Sequence, residues 1–196
     1  MADNWFNWNQ LREAEDKEFV ARDRLVDERR HLEKLVKIQS NLHAAGSGSI
    51  PLKDIKRADF DVKFTEMGLL VAEKQVRILK LEETIWRQRS ELGVQGEETS
   101  VPLQKLHVEM WNLRAETYQA LQEQLQVKLD YETELQTNIA KMVATHSIPE
   151  RQKLEADHRV MDAFHELELT KDRMAHAQKA ARLAKDNPLV VRDISP

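Results

Sequence analysis

Apolar positions across residues 9–44 recur in steps of three and four, through Leu11, Ala14, Ala21, Leu25, Leu32, Leu35 and Leu42. That spacing predicts a long helix with one apolar face at coiled-coil period. Glu18, Glu28 and Gln39 interrupt the face. The run Ala45-Gly46-Ser47-Gly48 ends it, since glycine accepts the left-handed backbone of a helix cap. Ser49 then reads as an N-cap, with Pro51 in the first turn of a second helix, where a missing N–H costs nothing. This helix, residues 51–92, carries two apolar stripes. One is Ile55, Ala58, Val62, Thr65, Leu69, Ala72, Val76, Leu79 and Trp86; the other is Phe60, Phe64, Met67, Val71, Ile78, Leu81, Ile85 and Leu92. At 3.6 residues per turn, positions 62 and 64 point roughly 200° apart. The helix must therefore be covered on two sides, whereas an ordinary surface helix buries one stripe.

Residues 93–100 (GVQGEETS) read as a C-cap and loop, with Ser100 as the next N-cap and Pro102 in the first turn. A third helix to about residue 144 again has two stripes. Leu103, Leu106, Met110, Leu113, Ala120, Val127 and Tyr131 form one; Val108, Trp111, Ala115, Tyr118, Leu125, Leu129, Ile139 and Val143 form the other. A fourth helix, residues 149–185, has a single face built largely from alanine, from Ala156 to Ala184. Asn187-Pro188 stops it, and residues 187–196 read as a tail.

The pattern repeats. Ser49-Ile50-Pro51 returns as Ser147-Ile148-Pro149, 98 positions later. The same offset carries the first stripe of helix two onto the face of helix four. The first elbow is one residue longer, so helices one and three should differ by 99; that offset carries Leu11, Ala14, Ala21, Glu28 and Leu32 onto Met110, Leu113, Ala120, Val127 and Tyr131. The chain reads as a tandem duplication of one hairpin, residues 9–92 and 101–186, behind an aromatic leader of residues 1–8. The expected fold is all-α: four long helices as two tandem antiparallel hairpins in a coiled-coil-like, elongated bundle.

Composition narrows the function. The 196 residues are 33% charged with a formal net charge of −4, so no basic excess draws the chain to nucleic acid or anionic lipid. With no cysteine, disulfides, thiol catalysis and thiolate metal sites are excluded. No apolar run reaches the ~18 residues of a membrane span, and no signal peptide is visible. A cytoplasmic location is the expectation; a periplasmic one would follow if an export signal had been removed. In a closed bundle the second stripes of helices two and three would face water, and such rows mark a partner surface. They are covered either by self-assembly, the favoured reading, or by a layer in which every helix packs on both neighbours. Phe60, Phe64, Val71, Ile78, Ile85, Trp111, Tyr118 and Leu125 are the partner-binding candidates on these rows. Ile50 and Ile148, apolar residues at the two elbow tips, are further candidates.

Duplicated hairpins with side-by-side helices resemble the α-helical barrel of TolC-type outer-membrane efflux proteins. The segment LHAAGSGSIPLKDI, residues 42–55, looks like the hairpin tip of their periplasmic adaptor partners. The chain departs from both in having no transmembrane strands and no lipoyl-type β domain. The resemblance implies a component of a periplasmic efflux or transport assembly.

Two Glu-x-x-His motifs, Glu28…His31 and Glu155…His158, match the ligand spacing of di-metal carboxylate bundles. Measured from their elbows they lie about eight residues apart in depth, or ~12 Å, and the duplicate positions of Glu28 and His31 are Val127 and Asp130. The simpler reading of Glu28 is a half-buried carboxylate paired with a neighbouring arginine. His158, Met161 and His165 share one face of helix four, with His176 further along, a set of donors suited to copper. Met at helical spacing also serves as core. No Gly-rich phosphate loop or nucleophile elbow is present. Trp5, Phe6 and Trp8 either anchor to a partner or cap the end of the bundle. The sequence thus points to a non-enzymatic structural or adaptor protein with no cofactor. Its partners would be itself, as a homo-oligomer, or another helical protein.

Overall fold

A computed structural model describes residues 6–46, 48–97 and 101–186, with residues 93–97 described by their backbone alone. Trp5, Ser47, Ser100 and residues 187–196 lie outside the described residues. The fold is all-α. Its four helices are α1 (Trp8–Ala45), α2 (Leu52–Glu97), α3 (Val101–Ala144) and α4 (Glu150–Asp186). Paired α1·α2 and α3·α4 form two hairpins, and α2 packs on α3.

The helix ends follow local chemistry, in places differently from the sequence expectation. α1 starts inside the expected leader. The Asn7 side-chain oxygen accepts from the N–H groups of Asn9 and Gln10 at 3.2 and 3.3 Å, which makes Asn7 the N-cap. Phe6 before it packs in one cluster with Leu11, four positions into the helix. That pair is a hydrophobic staple fixing the entry of the chain. α2 does not stop at residue 92 but runs to Glu97, so the loop expected over residues 93–100 is shorter. Gly93 and Gly96 each disfavour helix by about 1 kcal/mol but, unlike proline, leave the N–H in place.

The two elbows solve the same turn differently. At the first, Gly46 and Gly48 take φ of 63° and 97°, the left-handed region expected of them. At the second, His146 takes φ 54°. There the Ser147 N–H donates to the Met142 carbonyl at 2.9 Å and the His146 N–H to Val143 at 2.8 Å, a Schellman cap. Each proline immediately precedes its helix, and its carbonyl accepts the first bond, from Asp54 or Gln152. Pro51 and Pro149 therefore hold the cap position assigned from sequence to serine; the Ser147 hydroxyl instead pairs with Thr145 at 2.9 Å.

The chain forms two compact units, each drawing on all four helices. The first covers Met1–Glu18, Leu70–Leu121 and Leu169–Pro196. Its main core joins Ile78 and Ile85 of α2, Leu103, Met110, Trp111 and Leu113 of α3, and Ala177, Ala180, Ala181 and Ala184 of α4. Alanine lets the α4 backbone approach closely. Leu11 and Ala14 of α1 meet Val76 of α2 in a second cluster. Ion pairs Lys80–Glu15 (α2·α1), Lys74–Glu116 and Arg114–Glu82 (both α2·α3) lie over these contacts.

The second unit covers Phe19–Leu69 and Gln122–Glu168. Arg29 pairs with Glu66 between α1 and α2. The rings of Phe60 and Tyr131 stack at 4.0 Å between α2 and α3, and Gln124 donates to the Phe64 carbonyl at 3.0 Å. Between α3 and α4, Lys128–Glu166 and Arg159–Glu132 pair, and Gln136 donates to Asp157. Exposed ion pairs contribute at most about 1 kcal/mol each, so apolar contact carries these interfaces.

In both units the contacts above follow the order α1, α2, α3, α4. The two central helices are covered on two sides, which is what their double stripes require. Burial also repeats at the offsets read from sequence. Ala58 and Ala156 are both buried, as are Thr65 and Ala163; Leu11 matches Met110, Ala14 matches Leu113 and Leu25 matches Gln124.

Candidate interaction surface

The motifs suggested for metal do not converge on one. Glu28 accepts from the Arg24 Nε at 2.6 Å through one oxygen, as the simpler reading had it. Its other oxygen is buried without a protein partner. Asp61 of α2 lies close enough to feel this charge. Burial, and then Glu28, hold the Asp61 carboxyl above the ordinary range, while Arg57, Arg24 and His31 pull the other way. Glu155 accepts from Arg151 at 3.0 Å. His158, Met161 and His165 are exposed on α4, and the His165 ring sits 6.3 Å from Phe164. Among the described residues no group of three or more His, Asp and Glu is arranged to hold a metal ion.

An open cleft of about 630 Å³ in the first unit is lined by both charge signs, among them Arg77, Lys105 and Glu109. Its Gln104 donates to the carbonyls of Ala184 and Lys185 at 3.2 and 3.0 Å, capping the last turn of α4. A second polar feature is buried between α2 and α3, where Arg89 Nη2 lies 3.2 Å from His107 Nε2. Arginine can only donate, so this imidazole nitrogen accepts and the ring proton sits on Nδ1. Both features serve packing.

The partner candidates on the second stripes turn inward. Ile78, Ile85, Trp111 and Leu125 are buried, and Phe60, Phe64, Val71 and Tyr118 are half-buried. The expectation that these rows face a partner gives way to the other explanation offered from sequence, mutual coverage of α2 and α3. Ile50 and Ile148 are half-buried at the elbows, and the Ile50 N–H donates to the Gln39 side chain at 2.6 Å. Phe6 belongs to the α1·α2 cluster, whereas Trp8 stays 47% exposed under the guanidinium of Arg87.

Leu52, Leu70 and Leu92 of α2 and Val101 and Met142 of α3 are exposed, but most of the exposed large apolar side chains lie on the two helices that flank this order. α1 exposes Phe19 (65%), Val20, Val26, Val36 and Ile38; α4 exposes Leu154, Met161, Phe164 and Leu169 (58%). Of these only Met161 stood out in the sequence. The others are scattered among charged residues and follow no obvious single-helix period; the signal that finds several of them is the repeat offset. No helix of the described residues is long and apolar enough to cross a membrane. No family model, no curated protein and no solved structure matches the chain. The TolC-type resemblance therefore rests on the sequence pattern alone.

Proposed function

We propose that this chain is a non-enzymatic structural or adaptor element that acts through helix–helix packing and associates with itself. The observation that carries the reading is the distribution of apolar surface. The double stripes of α2 and α3 are largely buried inside the chain, yet α1 and α4 still present large apolar side chains, 65% exposed at Phe19 and 58% at Leu169. Phe19, Val26 and Leu169 among them occupy the duplicates of Tyr118, Leu125 and Val71, which pack inside the chain, and apolar surface left exposed at such positions fits an interaction surface. The polar clusters, by contrast, are accounted for by local ion pairs and caps. Sedimentation velocity across a dilution series tests the proposal. A mass above that of one chain, falling on dilution, is expected; a strict monomer at micromolar concentration overturns self-association.

A further inference from the structure

The duplication says what covers the outer faces. Helix α4 is the counterpart of α2 at an offset of 98, and α1 is the counterpart of α3 at 99. Inside the chain α2 packs on α3. The helices left with free faces, α4 and α1, are thus the duplicates of a pair already seen in contact. We propose that α4 of one copy packs against α1 of a second copy, in the register that α2 takes against α3. This rests on the self-association reading and adds its partner, faces and register.

Two α2·α3 ion pairs support it because their counterparts change together, whereas Arg114–Glu82 maps onto Glu15, which pairs with Lys80, and the buried Ala180. In the first unit Lys74 and Glu116 pair at 2.7 Å across α2·α3. Their counterparts are Asp172 on α4 and Lys17 on α1, both exposed, so the opposite charges persist with their sides exchanged. In the second unit Lys56 pairs with Glu134. Their counterparts are Leu154, 57% exposed, and Leu35, half-buried: an ion pair has become an apolar pair. Correlated replacement at two facing positions is what a retained contact produces. The exposed side chains Phe19, Val26, Leu169 and Leu183 likewise duplicate Tyr118, Leu125, Val71 and Ile85 of the internal interface. Other counterparts are polar: Ile78 becomes His176 and Trp111 becomes Arg12. A mixed surface of this kind suits molecules that meet and part, where a permanent core would be more apolar. Because the two faces differ, the contact is head-to-tail and adds copies beyond two, as a ring or a filament.

The test is a charge exchange read by sedimentation velocity. Lys17→Asp or Asp172→Lys alone sets like charges together and should weaken association by about three- to tenfold. The double variant Lys17→Asp/Asp172→Lys rebuilds the pair and should return association close to that of the unaltered chain. Both sites are exposed, so folding is unaffected, which circular dichroism checks. The chain has no cysteine, so a second readout is clean. Mixed Lys17→Cys and Asp172→Cys variants should cross-link to each other with a short bismaleimide, and neither to itself. An assembly that ignores the exchange, or that cross-links like to like, overturns this register and leaves self-association standing. A monomeric unaltered chain overturns both.

Discussion

Glu28 leaves one carboxylate oxygen buried and unpartnered, on a face that is otherwise mostly apolar. Its partner Arg24 is 63% exposed and loses little if released to water. The duplicate of this position already carries Val127. Replacing a half-buried ion pair by an apolar residue of fitting size is often stabilising, so Glu28→Val should raise stability at neutral pH by about 1 kcal/mol. Asp61 gives the change a pH signature. Its carboxyl is raised above 3.8, first by burial and then by Glu28. The folded chain therefore holds that proton more tightly than the unfolded chain does. Stability falls as pH climbs from the ordinary carboxylate value through the raised one, and the full penalty stands at neutral pH. Removing Glu28 shrinks the window. Urea midpoints near pH 4 and at pH 7 check this: the gain should be larger at pH 7, and a loss there would show that the Arg24 pair matters more than the orphaned oxygen.

At the scale of the element, the elbows show one turn reached by two chemistries. Gly46 and Gly48 enter the left-handed region without steric cost, but His146 does so with a side chain that clashes there. His146→Gly should therefore stabilise the second hairpin by about 0.5 to 1 kcal/mol, the relief of strain exceeding the added freedom of the unfolded chain. Thermal unfolding of the single variant measures it, and a lowered midpoint would mean that the imidazole makes a contact worth more than the strain. The elbows also mark what was legible. The number of helices, their apolar faces and both turn positions follow from periodicity and from Gly and Pro. The Schellman cap did not, because no glycine announces it. Nor did the start of α1, where Asn7 and Phe6 were hidden inside an aromatic leader that reads equally as a partner anchor or as a cap on the bundle end. The extension of α2 to Glu97 was missed because two glycines look like a stop, although their cost is small beside a long helix.

At the scale of the whole molecule, the double stripes were legible and their destination was not. Periodicity states how many sides of a helix are covered, but not whether the cover belongs to the same chain. Trp111 is the sharpest case, since its row was first read as facing a partner. It is 3% exposed, with the Arg114 guanidinium 4.4 Å over its ring and the His176 ring 6.2 Å away. Its indole N–H is buried with no acceptor. The two placements make opposite predictions for the isolated chain. A docking residue can be truncated with stability changing by no more than about 0.5 kcal/mol. A core tryptophan truncated to alanine costs about 3–5 kcal/mol, because transfer and cavity terms add. Trp111→Ala, measured by urea unfolding at a concentration where the chain is monomeric, should show the larger loss. Trp111→Phe should recover most of it, since the ring stays and the unsatisfied N–H goes. If both variants unfold like the unaltered chain while association weakens, the row faces outward after all, and the packing of α2 on α3 within one chain is wrong.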